Sequence, residues 1–275
     1  MKEACFQLPD GRILTWYEAG HGRPLLLLHG WAMSAAAFSE SAALLADRFR
    51  LLIPDLPGHG RSTPAQQNDL AGIAADLMHW LSAVEQAPVG LVGWSLGGML
   101  ALEIARQQTL PVAGLVLIGT TPRFTASDDW AYGLPSTQVR ALARNLARSF
   151  ETTLAEFFAL SFAGEDISPE RLREIRNFAV KRGPLPDRAA ALALLNTLSV
   201  QDQRAMLGAI PQPALVLHGE LDRITPVAAG RQLAALLPQG RFVEFAGVGH
   251  GLFLSQPQAA VAMIREFFDG ADQSN

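Results

Sequence analysis

Val89-Gly90-Leu91-Val92-Gly93-Trp94-Ser95-Leu96-Gly97-Gly98-Met99 reads as a buried strand that runs into a helix through a serine flanked by glycines. The apolar run 89–92 supplies the strand, and Met99–Arg106 continues in helix formers. Gly93-x-Ser95-x-Gly97 has the form of a nucleophile elbow, in which the chain turns so sharply that the serine takes strained backbone angles. Side chains two residues to either side would collide there, and glycine removes the collision. A Gly/Ser turn in some other α/β unit is the plain alternative. Five residues recur by chance, so the rest of the chain has to decide.

Outward from the elbow, strands and helices alternate. Ile13–Glu18 alternates like an early antiparallel strand, and Leu25-Leu26-Leu27-Leu28 is a continuous apolar run of the kind buried on both faces of a parallel sheet. Leu51–Asp55 is a short strand ending in the glycine-rich loop Asp55–Ser62. Residues Leu70, Ile73, Leu77, Trp80, Leu81 and Val84 recur at helical spacing, with His79 and Trp80 read as packing. Ala113–Ile118 is another strand, and the period indicates βαβ units and an α/β fold with a mostly parallel sheet. From Arg123 to Ala209 no strand-like run occurs. Helical patterns over 136–163, 168–181 and 187–207 replace it. Residues 121–209 are therefore expected to form a helical lid inserted into a core of 1–120 and 210–275. The sheet resumes at Pro213–Leu217 and Arg241–Phe245, and Pro257–Phe268 predicts a closing amphipathic helix.

Three candidate residues fall where strands end, the edge at which open α/β sheets place their ligands. They are Ser95, Asp222 after the strand 213–217, and His250 after the strand 241–245. Serine, then acid, then histidine is the chain order of a Ser-His-Asp triad on such a sheet. Glu220 and Asp202 compete for the acid, but neither stands at the corresponding place, and Glu220 reads as a turn neighbour. His29-Gly30-Trp31 leaves another strand at the same edge. The N–H groups of Trp31 and of Leu96, the residue after the serine, would make the two donors of an oxyanion hole. His29, Asp55 and His59 read as loop scaffolding.

Composition excludes several classes. The 275 residues carry a net charge of −4, which disfavours nucleic acid as a partner. No apolar stretch reaches the roughly 18–20 residues that cross a bilayer. A single cysteine, Cys5, and an amino terminus without a signal-like apolar core lead to a cytoplasmic expectation. The six histidines lack metal-site spacing, no phosphate-cradling glycine loop occurs, and neither metal nor cofactor is expected. A monomer is the expected assembly. Charge is uneven: residues 121–210 hold 11 Lys/Arg against 10 Asp/Glu, so the lid is the basic part of an acidic chain. Arg140, Arg144 and Arg148 share one helical face, and Arg171, Arg173, Arg176, Lys181 and Arg182 form a second cluster. A solvated face is the ordinary reading of such rows. A docking surface for an acidic partner is the sharper one.

These motifs resemble the α/β-hydrolase superfamily along nearly the whole chain. Within it they are similar to the BioH family of pimeloyl-[acyl-carrier protein] methyl ester esterases. The residues that carry the likeness are Leu27–Trp31, Asp55–Ser62, Gly93–Gly98 and Leu221-Asp222-x-x-x-Pro226. More discriminating is Thr121–Trp130, which resembles the family's S-P-x-F-x-A-x-x-x-W approach to the lid with threonine in first place. Phe157-Phe158-Ala159-Leu160-Ser161 resembles the lid segment that lines the family's acyl site. The resemblance implies hydrolysis of a methyl ester on a pimeloyl chain borne by acyl-carrier protein, in biotin synthesis. Substrate would then meet Trp31, Ser95, Leu96, Phe157, Phe158, Ala159, Leu160, Ser161 and His250. Lid arginines, among them Arg140, Arg144, Arg148, Arg171 and Arg176, would dock the acidic carrier, although the spacing over 150–176 departs from the family's and gives no one-to-one match. Two other readings stay open: a short-chain carboxylesterase or lactonase without a carrier protein, and a binding module that keeps the fold without turnover.

Overall fold

The computed structural model describes residues 1–180 and 183–270. Lys181 and Arg182 of the second arginine cluster lie outside them. The chain runs β1 (Lys2–Gln7), β2 (Ile13–Ala19), β3 (Arg23–Leu28), α1 (Ser39–Leu45), β4 (Phe49–Pro54), α2 (Leu70–Val84), β5 (Val89–Trp94), α3 (Leu96–Gln107) and β6 (Val112–Ile118). Four helices follow, α4 (Ser136–Arg148), α5 (Phe150–Leu160), α6 (Pro169–Ala179) and α7 (Arg188–Val200). Then come β7 (Ala214–Gly219), α8 (Val227–Leu236), β8 (Gly240–Phe245), α9 (Leu252–Ser255) and α10 (Pro257–Gly270).

Among the described residues, the eight strands form one sheet in the order β1-β2-β4-β3-β5-β6-β7-β8. β1 pairs β2 and β2 pairs β4 antiparallel; every other pairing is parallel. β1, which the sequence reading passed over, is an edge strand whose residues stay exposed or half-buried.

The leucine run explains the layering. Leu26 and Leu28 join a core with Ile73, Leu77, Trp80 and Met99 from α2 and α3 on one face. Leu25 and Leu27 join Phe38, Phe253, Ile264 and Phe268 on the other. Period-2 side chains that are apolar on both sides demand a helix layer on each, and that sandwich fixes the strand ends at one edge.

The pattern over 136–163 resolves into two helices, not one. The chain breaks at Ser149, which closes α4 and opens α5 with φ −141° and ψ 69°. The pattern over 168–181 is α6, and 187–207 holds α7 followed by a short 3₁₀ turn at Arg204–Ala209. Among the described residues no helix is long and apolar enough to cross a membrane.

Candidate active site

Ser95 stands between β5 and α3 with φ 56° and ψ −115°, a conformation costly for any residue with a Cβ. The neighbouring glycines make it sterically possible. A Cβ on Gly93 would lie 2.4 Å from the Gly97 carbonyl oxygen, and one on Gly97 would lie 2.0 Å from the Leu28 carbonyl oxygen. The strain is held by Ser95 N–H on the Ile118 carbonyl at 2.9 Å and by the first turn of α3, where Met99 N–H reaches the Ser95 carbonyl.

His250 lies in the loop after β8. Its Nδ1 is 2.7 Å from Asp222 Oδ2, and both side chains are buried. Asp222 is saturated with donors. Oδ1 accepts the N–H groups of Ile224 and Thr225, each at 2.8 Å, and Thr225 Oγ1 lies 2.9 Å from Oδ2. Burial works against the charge, yet the neighbouring His250 and hydrogen bonds from His218 and His250 outweigh it and hold this carboxyl well below the usual carboxylate range. With Nδ1 committed to Asp222, Nε2 is the histidine nitrogen left to exchange a proton. The loop itself is anchored from three sides: Trp94 Nε1 donates to the His250 carbonyl at 3.1 Å, Gly251 N–H to the Ser161 carbonyl at 3.2 Å, and Gly249 N–H to Glu165 Oε1 at 2.8 Å.

Ser95 and His250 open on one cavity of about 270 Å³, walled mainly by apolar side chains including Trp31, Leu154, Phe157 and Phe158. Trp31 meets Phe157 edge-on, with ring centroids 4.9 Å apart, and its indole N–H donates to the Ala191 carbonyl at 2.9 Å. Among the described residues the main-chain N–H groups of Trp31 and Leu96 have no acceptor. The Leu96 group is the first of α3, at the positive end of the helix dipole. Leu96 lines a second, tiny void of about 10 Å³ together with Ser95, Met99, Phe124 and Leu198.

The turn that carries Trp31 rests on two buried histidines. His29 Nδ1–H donates to the Gly30 carbonyl at 2.8 Å, while Nε2 accepts Leu56 N–H at 2.9 Å. His59 Nε2 accepts Ala32 N–H at 3.1 Å. Burial, with His59 nearby, lowers the His29 pKa to about 3, and burial lowers that of His59 to about 4. Asp55 holds the adjoining loop, accepting Ala35 N–H and Arg61 N–H at 2.8 and 2.9 Å.

Several sequence expectations are displaced. Ser161 lines the cavity with Phe157 and Phe158, but Ala159 and Leu160 face outward; Leu160 is 37% exposed, because the helix turns those two positions away from the core. Arg171 is bound to Glu40 at 2.5 Å and to the Leu254 carbonyl at 2.7 Å, so it clamps α6 to the core and is spent as a docking group. Arg140, Arg144 and Arg148 are exposed on α4, and Arg140 borders a groove between α4 and α7. Helical spacing shows that they share a face but not which way the face looks. Among the described residues, Arg176 is the arginine that lines the cavity, along with Glu151, and both are exposed. Asp202 is held by Arg123 and Arg204, and Glu220 accepts Gly247 N–H, both away from His250. Thr225 and Glu165 escaped the sequence reading. For Thr225 a signal existed, since Asp222-x-x-Thr225 is the spacing of a carboxylate that caps its own turn.

Comparison with known proteins agrees with this geometry. The family described as alpha/beta hydrolase fold matches residues 23–257. The chain belongs to the α/β-hydrolase family. Two relatives, each named pimeloyl-[acyl-carrier protein] methyl ester esterase, come from Chromobacterium violaceum and Nitrosomonas europaea. The first is 36% identical over 250 residues, covering 91% of this chain and 96% of the relative. The second is 37% identical over 245 residues, covering 88% and 94%. Within the hydrolases the chain belongs with these esterases. Among solved structures, an esterase from Exiguobacterium antarcticum superposes with a TM-score of 0.88 at 26% identity, over 96% of this chain and 98% of that one. An esterase from Thermogutta terrifontis gives 0.82 at 27% identity, over 98% and 99%.

Proposed function

We propose that this α/β hydrolase is a serine carboxylesterase that cleaves the methyl ester of a pimeloyl chain carried by acyl-carrier protein, releasing methanol for biotin synthesis in the cytoplasm. The observation that carries the chemistry is the strained Ser95 and the His250–Asp222 pair opening on one apolar cavity. The substrate is supported by the relatives' names and by the apolar lining of that cavity, which suits an acyl chain. His250, oriented by Asp222, takes the Ser95 hydroxyl proton as Oγ attacks the ester carbonyl. The N–H groups of Trp31 and Leu96 receive the oxyanion, and each such donor is worth about 2.7–4 kcal/mol in the transition state. His250 then protonates the departing methoxide. Water, activated by the same imidazole, attacks the acyl-serine and frees the carboxylate. No metal or diffusible cofactor enters these steps.

Residues 121–209 act as the lid over the core of 1–120 and 210–275. The acyl chain passes Trp31, Phe157, Phe158 and Ser161, and Arg176, exposed in the same lining, meets the acidic carrier, with Arg144 and Arg148 as outer contacts. The test compares hydrolysis of pimeloyl methyl ester on acyl-carrier protein with that of the free monomethyl ester, for wild type, Ser95→Ala, Arg176→Ala and Arg144→Ala/Arg148→Ala. Preference for the carrier-bound ester that shrinks with salt or with arginine removal supports the proposal. Equal rates on both esters, indifferent to the arginines, leave a carboxylesterase without carrier recognition.

A further inference from the structure

Behind the acid lies a second imidazole that the mechanism leaves idle. His218, on β7, is fully buried, and its Nε2 sits 2.6 Å from the Thr225 carbonyl and 3.3 Å from Asp222 Oδ2. A carbonyl oxygen only accepts, so Nε2 carries the proton. Its Nδ1 is buried with no partner among the described residues and faces Gly230 of α8, where a Cβ would come within 2.2 Å. A proton on Nδ1 would be an unsatisfied buried donor, so the Nε2–H tautomer is the one this pocket accepts. That N–H is given to the Thr225 carbonyl, and the same nitrogen stands 3.3 Å from the carboxylate oxygen that also receives His250 Nδ1.

We propose that His218 is a positioning residue: its fixed N–H, together with the Thr225 hydroxyl, locks Asp222 Oδ2 on the line to His250 and draws off part of the carboxylate charge. Thr225 completes the lock: its single hydroxyl proton is shared between Asp222 Oδ2 at 2.9 Å and the Gly119 carbonyl at 2.8 Å, and Oγ1 lies 3.2 Å from His250 Nδ1. The titratable groups facing His218 are Asp222 from the turn after β7 and, beyond it, His250. The element packed on its other side presents Gly230, and the end of β6 presents the Gly119 carbonyl to Thr225; neither titrates. Gly230 is thus the space that a second ring requires behind the acid.

This inference rests on reading Asp222 and His250 as acid and base. The test measures kcat, KM and the pH profile of kcat/KM with a chromogenic short-chain ester for wild type, His218→Leu, His218→Gln and Asp222→Asn. His218→Leu lowers kcat about tenfold or more with KM within about twofold. It also moves the acid limb of kcat/KM to higher pH, because a carboxylate with one donor fewer gives more of its charge to His250. His218→Gln keeps an N–H at similar reach and returns both quantities toward wild type. Should the leucine variant fail to fold, His218→Asn, too short to reach Oδ2, must show the same losses. Wild-type kcat and acid limb without the donor, or a loss that glutamine does not restore, overturns the proposal. Full activity in Asp222→Asn removes the acid reading instead, and a wild-type-like His218→Leu beside a crippled Asp222→Asn removes only the role of His218.

Discussion

Acidification from pH 7.5 to 5 is expected to cost the fold up to about 4 kcal/mol, through His29 and His59 alone. Each ring is buried with one nitrogen donating to a carbonyl and the other accepting a main-chain N–H, so a second proton would face a donor. Their folded pKa values are lowered to about 3 and about 4. An unfolded histidine titrates near 6.5, and each pH unit in which only the unfolded state binds the proton costs about 1.36 kcal/mol. The contribution is therefore whole above pH 6.5, falls as pH drops, and levels off only near 4 and 3. From 6.5 to 5 this is about 2 kcal/mol for each ring. Asp55 and Glu165, whose burial raises their pKa, run the other way and make the sum an upper figure. The assay is urea unfolding followed by circular dichroism at pH 7.5, 6 and 5, at constant ionic strength, with His59→Gln as the control that halves the slope. A stability that is flat over this range, or a His59→Gln chain with the wild-type slope, refutes the reasoning. Because the folded His59 ring stays neutral until near pH 4, its Nε2 keeps the N–H of Ala32, next to Trp31, across this range, and the loss is expected in unfolding free energy without a displacement of the Trp31 turn.

Leu27→Ala, which empties a site between β3 and the α10 layer, is expected to lose about 2–5 kcal/mol in the same unfolding assay. Gly97→Ala should abolish acylation in a single-turnover measurement, since the new Cβ would sit 2.0 Å from the Leu28 carbonyl oxygen and push Ser95 from its place. Arg171→Ala should lower stability by about 1.5–3 kcal/mol while leaving hydrolysis of the free ester within about twofold, because its partners Glu40 and Leu254 belong to packing and not to the cavity. Glu165→Ala should reduce kcat, whereas Glu165→Gln, which keeps an acceptor for Gly249 N–H, should retain most of it.

What could be read before the structure follows from burial. Leu25–Leu28 and Val89–Trp94 are enclosed on both faces, so their strand character is written in unbroken apolar runs. Ser95 was legible because its backbone needs glycine at fixed offsets. β1 was not, since an exposed edge strand has no apolar signature beyond half-buried Ala4 and Phe6. The break at Ser149 is also silent: Val139, Leu142, Leu146, Phe150, Leu154 and Phe157 continue at helical spacing straight through it. Which of the lid arginines are tied down was not legible for a related reason. Periodicity decides which side chains share a face, whereas Arg171 on Glu40 and Arg176 in the cavity lining depend on how α6 sits on the core. The contacts of His218 and Thr225 with Asp222 form only once β6, β7 and the His250 loop are side by side.

The hydrogen bonds from Gly251 to Ser161 and from Gly249 to Glu165 join the histidine loop to the segment just after α5. Raising α5 as a hinged cover would pull on those bonds and unseat the imidazole at the moment it is needed. With α5 held down, substrate would enter by the opening the cavity already has, whose lining includes the exposed Glu151 and Arg176, and an opening of fixed size sorts molecules by girth. A slender chain of almost any length can be drawn through it like thread through a needle's eye, while a compact ring of the same mass is turned away.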